Sequence, residues 1–451
     1  MIRKIPPQVK EIYTTLKNAG FECYVVGGAV RNLVLGTPPK DWDLATDALP
    51  QEVIKLFRRV IPTGVPHGTV TVLHKGVSCE VTTFRIDGAY TDSRRPDSVE
   101  YTSSLHEDLK RRDFSINAMA LDMETGEIID PHDGQEDCAR KIIRAIGKAE
   151  ERFDEDGLRI LRGVRFAGRL GFLVEPETLA AMKARAENLR TISAERIRME
   201  LENILESDKP SDSFMIMSAT GVLAIILPEL DACRGVKQRE MHSFDVFTHC
   251  ILSCDGVAVP DMGLRLAALL HDIGKPPALT FAEDGEPRFF GHEAQSASLA
   301  QSIMLRLKFP TALIKRVTHL IAQHMFAYDP DWSDAAVRRF IIRAGKENLE
   351  DLFTLRMADS YGMKDSPPDP RSLDGLRGRI SAVLSQEEAL SLKDLKLSGD
   401  DIQNALSLPP GPFIGRILKF LFESVVEDPA LNDKEKLLRI AENFYTSRLK
   451  V

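Results

Sequence analysis

Apolar positions recur at helical spacing between residues 6 and 19, where Val9, Ile12, Tyr13 and Leu16 share a face and Gly20 follows. The chain is therefore expected to open with an amphipathic helix. The rhythm then changes. Four runs, "CYVVGG", "DWDLAT", "GTVTVLHKG" and "CEVTTFRI", are separated by turn formers and read as strands. A charged, turn-rich stretch, "DGAYTDSRRPDSVEY", precedes "EDLKRRDFSINAMALD". From about residue 141 the strand signal fades. Leu158, Leu161, Val164 and Phe166 to Leu170 fall at helical spacing, and almost everything after them is expected to be helical. The prolines of "KDSPPDPRSLDG", 364–375, cannot continue a helix and mark the best linker. No internal repeat or low-complexity segment interrupts this pattern, which predicts an α/β head on a long all-α body.

Length and composition change the picture only a little. At 451 residues the chain is too long for one compact core, so two to four domains are expected. No apolar run approaches the length needed to cross a bilayer, which gives no membrane partner. The start, "MIRKIPPQVKEIY", is basic but has no apolar stretch of a secretory signal. Six scattered cysteines form no CxxC pair and suit free thiols in a reducing cytoplasm, the expected location. The formal net charge of −8 argues mildly against a nucleic-acid partner, yet a local basic groove is what captures phosphate.

The first candidate chemistry lies in "YVVGGAVRNLVLGTPPKDWDLATD". In a strand, residues i and i+2 point to one side, so Asp41 and Asp43 are expected to project together. Parallel carboxylates repel unless a cation sits between them, and a hard divalent ion is the usual answer. Such a pair can activate a 3′-hydroxyl and steady a leaving pyrophosphate. The Gly27-Gly28 turn before a helix brings backbone N–H groups close to a triphosphate, and Arg31, one turn on, adds a charged contact. A lone D-x-D is more often a solvated acidic loop, so the wider context decides.

That context resembles a family. "GGAVRNLVLGTPPKDWDLAT", "TGVPHGTVTV", "CEVTTFR", "LKRRDFSINAMALD", "IDPHDGQED" and "EDGLRILRGVRFAGRLGF" stand in the order seen in class II tRNA nucleotidyltransferases. These are the CCA-adding enzymes and poly(A) polymerase relatives of the DNA polymerase β superfamily. The resemblance covers about the first 175 residues. It implies a polymerase β-like nucleotidyltransferase head, a mixed sheet with helices, over 1–140. A helical neck for base recognition follows over 141–205, a helical body over 206–365, and a helical tail contacting tRNA over 366–451. It makes Asp41 and Asp43 the catalytic ligands of Mg²⁺ and Gly27, Gly28 and Arg31 part of the triphosphate site. Glu80 stands where a third acidic residue would lie. Asn32 replaces the usual aspartate after the arginine, and Cys138 replaces the usual leucine of the hinge motif. "RRDFSINAMA" carries Arg111, and the family's ribose-handling role falls on Arg112, Asp113 and Asn117. The loop around "YTDSRRPDSV" is kept at family length; relatives that add only CC have it shortened, which speaks for terminal A addition.

"EDGLR" suggests how base identity is read. Asp156 and Arg159 are i, i+3 and are expected to share a helix face. A carboxylate only accepts hydrogen bonds and a guanidinium only donates them. Cytosine and adenine both present an amino donor beside a ring-nitrogen acceptor, and both match this pair. Uracil and guanine present the reverse order and meet two mismatches, each costing about 1–3 kcal/mol when buried. Alone, such a pair is more often a weak surface ion pair; with the head domain, base reading is the stronger interpretation. Arg162 and Arg165, farther along, are placed to contact phosphate or stack on the base.

A second constellation lies downstream. His249, His271, Asp272, His292, His324 and Asp359 form the ordered pattern H…HD…H…H…D, which resembles the HD phosphohydrolase superfamily. Imidazoles and carboxylates from different helices suit one or two divalent ions, Mn, Fe, Ni or Mg, and metal-activated hydrolysis of a phosphate ester. The expected activity is template-independent addition of CCA to tRNA 3′ ends from CTP and ATP, with release of pyrophosphate. The alternatives are an A-only or CC-only specialist, then a poly(A) polymerase, then an HD phosphohydrolase with an RNA-binding head.

Overall fold

The computed structural model describes residues 2–87, 99–239, 243–385 and 391–448. The turn-rich stretch "YTDSRRPDSV" falls almost wholly outside them. The chain divides into two compact units, one of residues 1–236, 260–262 and 302–311, the other of 237–259, 263–301 and 312–451.

The first unit begins with the helix Pro7–Asn18, whose buried residues are Val9, Ile12, Tyr13 and Leu16, the face anticipated from spacing. Strands β1 (Cys23–Val26), β2 (Asp43–Thr46), β3 (Val60–Gly64), β4 (Thr69–His74) and β5 (Val77–Thr83) follow. A ribbon of β6 (Arg85–Asp87) and β7 (Val99–Tyr101) stands apart, and β8 (Ala120–Leu121) and β9 (Ile128–Ile129) complete the main sheet. Its order is β3-β4-β5-β2-β1-β8-β9. Only the β2–β5 pairing in this sheet is parallel, so it is mixed. β1 and β2 are buried almost throughout, which is why they read as apolar runs rather than alternating ones.

Helices then take over, and among the described residues two short strand pairings depart from the all-helical expectation. Ile142–Ile143 pairs in parallel with Leu173–Val174, and Thr280–Phe281 pairs with Pro287–Arg288. Two-residue strands carry too little periodicity to register in sequence. In the second unit the helices Val246–Asp255 and Leu349–Lys364 pack closely. The proline-rich 364–375 stretch connects two helices inside this unit, Leu349–Lys364 and Asp374–Ser385. A separate apolar cluster, including Leu397, Ile402, Ile417, Leu421 and Leu437, forms the core of the last helices. Among the described residues no helix is long and apolar enough to cross a membrane.

Candidate active site and a second candidate metal centre

The two aspartates sit where three strands converge. Asp43 heads β2, in register with Val26 on one side and with Glu80 of β5 on the other. Asp41 lies in a bend two residues earlier and not in the strand, which corrects the simple i, i+2 picture. β1 stops at Val26 and turns away at Gly27, so the backbone at Asp41 has no ladder partner there. Both carboxylates nevertheless line one cavity, while Trp42 between them is buried. Burial, then the neighbouring Glu80, raise the Asp43 carboxyl to about 6, with Arg112 opposing and Asp41 adding to the rise. A half-buried carboxylate held among like charges is the donor set that a hard divalent cation neutralises.

Gly27 joins β1 to the helix Gly28–Val34 with φ +69 and ψ −137, a conformation open to glycine. A Cβ there would also lie 3.3 Å from Nη1 of Arg112 and 3.8 Å from Oδ2 of Asp43, so the bare backbone faces both groups. Arg31 donates to Asn117 Oδ1 at 2.6 Å and to Asn32 Oδ1 at 3.0 and 3.2 Å. These are neutral amide partners. Burial is the main force lowering the Arg31 guanidinium to about 10. Asn32 therefore orients Arg31 without cancelling its charge.

"RRDFSIN" folds into a network. Asp108, fully buried, accepts from Arg111 at 2.7 Å and from Arg112 at 3.1 Å. Asp113 accepts from the Phe114 amide at 2.9 Å, from Asn117 at 3.4 Å and from Arg162 at 2.7 Å. Burial works against its charge, but Arg162 outweighs that and holds the carboxyl below its ordinary value. Arg165 pairs with the buried Glu200 at 2.5 Å. Phe166 lies under three guanidinium groups, those of Arg31, Arg162 and Arg165, at 5.3, 5.5 and 4.2 Å.

Asp156 and Arg159 do not share a helix face. Asp156 is extended, with φ −147, in the break between helices Ala149–Glu155 and Leu158–Leu170. Gly157 itself has helical dihedrals and packs tightly, since a Cβ there would come within 2.9 Å of the Asn188 backbone. Asp156 Oδ1 accepts from the Leu158 amide at 3.0 Å, and Oδ2 pairs with Arg196 at 2.6 Å. Arg159 is buried and donates to Glu155 and to the Arg152 and Arg111 carbonyls. Each member of the supposed pair is thus held by other residues. Both still open onto the same cavity.

That cavity, about 1110 Å³, gathers all twelve candidate residues of the head and neck. It also takes in Arg196, Arg169, Arg85, His67 and Lys40, which the sequence did not single out. Arginine crowds it despite the acidic net charge of the chain, the local basicity that phosphates require. Arg196 and Glu200 sit on the helix Ala194–Leu205, where their i, i+4 spacing looks like any solvated charged face.

The second constellation also assembles. His271 and Asp272 follow the helix Met262–Leu270, His292 opens the next long helix, and Asp359 lies on Leu349–Lys364 beside His249. All six side chains are buried. Asp272 divides them: Oδ2 lies 3.2 Å from His249 Nε2 and 3.3 Å from His271 Nε2, while Oδ1 lies 3.2 Å from His292 Nε2 and 3.8 Å from His324 Nε2. His249 Nε2 is also 3.2 Å from Asp359 Oδ1. Two ligand groups, His249–His271–Asp272 and Asp272–His292–His324, meet metal-binding spacing. In His271, His292 and His324 the Nδ1 faces a backbone carbonyl at 2.7–2.8 Å, which turns Nε2 toward the carboxylates. Asp272 Oδ1, His292 Nε2 and His324 Nε2 are buried and make no hydrogen bond, so the donor set fits a cation. Lys275 reaches Asp272 Oδ2 at 2.5 Å from one turn along.

Three known families match successive parts of the chain. Residues 23–144 match the Poly A polymerase head domain, 171–234 a probable RNA- and SrmB-binding site of polymerase A, and 291–441 a putative second domain of tRNA nucleotidyltransferases. A CCA-adding enzyme of Geobacillus stearothermophilus is 34% identical over 426 residues, 94% of each chain. One from Leuconostoc mesenteroides is 32% identical over 433 residues, 96% of this chain and 95% of that one. The crystal structure of the Bacillus stearothermophilus CCA-adding enzyme in complex with CTP superposes with a TM-score of 0.73 at 30% identity, covering 99% of this chain and all of that one. With similarity running nearly end to end in both chains, and with the paired carboxylates and arginine-lined cavity in place, the chain belongs to the CCA-adding enzymes, the tRNA nucleotidyltransferases.

Proposed function

We propose that this enzyme completes tRNA 3′ ends, adding C, C and A from CTP and ATP and releasing pyrophosphate. The observation that carries the reading is the convergence of Asp41, Asp43, the Gly27 turn and the arginines on one cavity. The nucleotide base lies against Asp156 and Arg159, with Arg196 and Glu155 fixing their orientation. The triphosphate runs along the Gly27-Gly28 backbone toward Arg31, whose neutral partners leave its charge to the phosphates. Asp113, held by Arg162, and Asn117 face the ribose, and Arg112 bridges toward the Gly27 turn. Arg165 braces Phe166, which fills the floor beneath Arg31. Held by Asp41 and Asp43, Mg²⁺ would supply a Lewis acid that eases loss of the 3′-hydroxyl proton and steadies pyrophosphate. Residues 366–451 are assigned the tRNA contact. The setting is cytoplasmic, a reading supported by six buried cysteines scattered along the sequence without a CxxC pair.

The test is incorporation on tRNA transcripts ending in the discriminator base, in C and in CC, with the four labelled nucleotides singly and together. Addition to all three that stops after one A supports full CCA addition. Activity only with ATP on the CC end would make the enzyme an A-adding specialist.

The raised Asp43 carboxyl gives a pH prediction for the metal-free protein. Below about 6 it binds a proton that a cation must displace, so affinity for Mn²⁺ should fall as pH drops through 6 and level off above it. Glu80→Gln removes a charge that raises this group, so the midpoint should move to lower pH. Paramagnetic titration of free Mn²⁺ across pH 5 to 8, taken as the difference from Asp43→Asn so that uptake at the His/Asp centre cancels, reads both; a midpoint unmoved in Glu80→Gln would count against the coupling.

A second reading concerns the His/Asp centre, favoured by its buried nitrogens without hydrogen bonds. It holds one or two divalent ions, Mn, Fe, Ni or Mg, and acts on a phosphate ester. His271→Ala should lower bound Mn²⁺ or Ni²⁺, measured by elemental analysis after dialysis, while nucleotide incorporation persists. Equal metal content in the variant would remove this reading.

A further inference from the structure

The cavity continues past the aspartates, away from the arginines around Phe166. That far wall is set by strand register. Asp43 lies beside Glu80 on β5; Thr82, two residues on, shares the face of Glu80 and is opposite Thr69 on β4. The two threonine hydroxyls are 3.0 Å apart. Glu80, Thr82, Thr69, His67 and Arg85 all line the cavity on this side.

The turn carrying His67 is fastened from outside. Residues 65–67 make one tight helical turn between β3 and β4, closed by Gly68 at φ +79. The Tyr101 hydroxyl donates to the Val65 carbonyl at 3.4 Å, and the Arg85 guanidinium donates to the His67 carbonyl. Arg85 and Tyr101 are themselves cross-strand neighbours in the β6–β7 ribbon. Two carbonyls of one short turn are therefore held by one ribbon, and the His67 side chain is kept at the cavity edge.

The chemistry of this wall differs from that of the opposite one. Its one guanidinium, Arg85, is turned to the His67 carbonyl, and the rest is hydroxyls, an imidazole and a carboxylate beside Asp43, a poorer match for a triphosphate than the arginine-rich wall and a good match for ribose hydroxyls. We propose that it seats the 3′-terminal nucleoside of the acceptor RNA, with His67 and Thr82 contacting its ribose and Arg85 positioning His67. This rests on the transferase reading above and adds the acceptor side of that site. A single-stranded RNA end presents its 2′- and 3′-hydroxyls together, and an imidazole and a threonine hydroxyl can each donate and accept toward them.

The experiment is steady-state incorporation of AMP into tRNA ending in CC, with wild type, His67→Ala, His67→Asn, Thr82→Val and Arg85→Lys. Loss of one hydrogen bond should raise KM for tRNA about tenfold in His67→Ala and Thr82→Val, with KM for ATP within about twofold of wild type. His67→Asn keeps a donor and an acceptor and should recover most of the loss. Arg85→Lys keeps the charge but not the planar fork, and should raise KM for tRNA without changing KM for ATP. An unchanged KM for tRNA in both His67→Ala and Thr82→Val would overturn the proposal, as would an equal rise in KM for ATP, the signature of a merely structural role. Inactive wild-type enzyme would instead overturn the transferase reading on which the proposal stands.

Discussion

Asp43→Asn is expected to abolish nucleotide incorporation, lowering the rate on the order of 10³-fold or more on every tRNA end. The substitution keeps the shape of a side chain at the head of β2, between Val26 and Glu80, so the sheet has no reason to change. What it removes is charge. Asp43 is the more buried of the pair, raised to about 6 by desolvation and by Glu80, and an amide there cannot neutralise a divalent ion. Single-turnover incorporation on tRNA ending in CC, with CTP or ATP binding measured separately, checks the expectation. Binding should persist because the Gly27 turn and the arginines are untouched. Incorporation within tenfold of wild type would show that Asp41 and Glu80 suffice and that Asp43 is not a required ligand.

The second large effect concerns choice among nucleotides. Rejection of UTP and GTP by two buried mismatches, about 1–3 kcal/mol each, amounts to discrimination of about 30-fold to 10⁴-fold. Asp156→Ala deletes the acceptor and, with it, one mismatch for UTP. The ratio of kcat/KM for CTP over UTP should fall about 10- to 100-fold, chiefly through poorer use of CTP. Asp156 now holds Arg196 at 2.6 Å, so part of any loss could come from Arg196 shifting. Arg196→Lys separates the two causes, because it leaves the acceptor in place and loosens only its support. The fall in discrimination should be smaller in Arg196→Lys than in Asp156→Ala. Four nucleotides losing efficiency equally in Asp156→Ala would place base reading elsewhere in the cavity.

These two sites were legible to different degrees. The Asp41/Asp43 pair is visible in sequence because its parts are local: two carboxylates one residue apart, a glycine turn, a short strand. Even so, the reason they converge with Glu80 is a parallel pairing of β2 with β5 across some forty residues. The His/Asp centre was also traceable, since imidazoles are rare enough that six ordered ligand types stand out. Its division about the two oxygens of Asp272 was not, because that depends on which way each ring turns.

Asp156 and Arg159 show the limit. Their spacing fits one helix face, but the Asp156-Gly157 pair is also a turn and N-cap signal, and Asp156 does cap the following helix through the Leu158 amide. What the sequence does not show is the close packing of Gly157 against Asn188, about thirty residues away. Arg196 and Glu200 were invisible for the same reason: a charge at i, i+4 on a helix reads as a solvated face until another helix covers it. The sequence by itself determined most of the longer elements, the turn at Gly27 and which residue types could do chemistry, since these follow from short-range sterics and periodicity. Only the tertiary structure decided who holds whom, because burial and ion pairing depend on neighbours brought from distant parts of the chain.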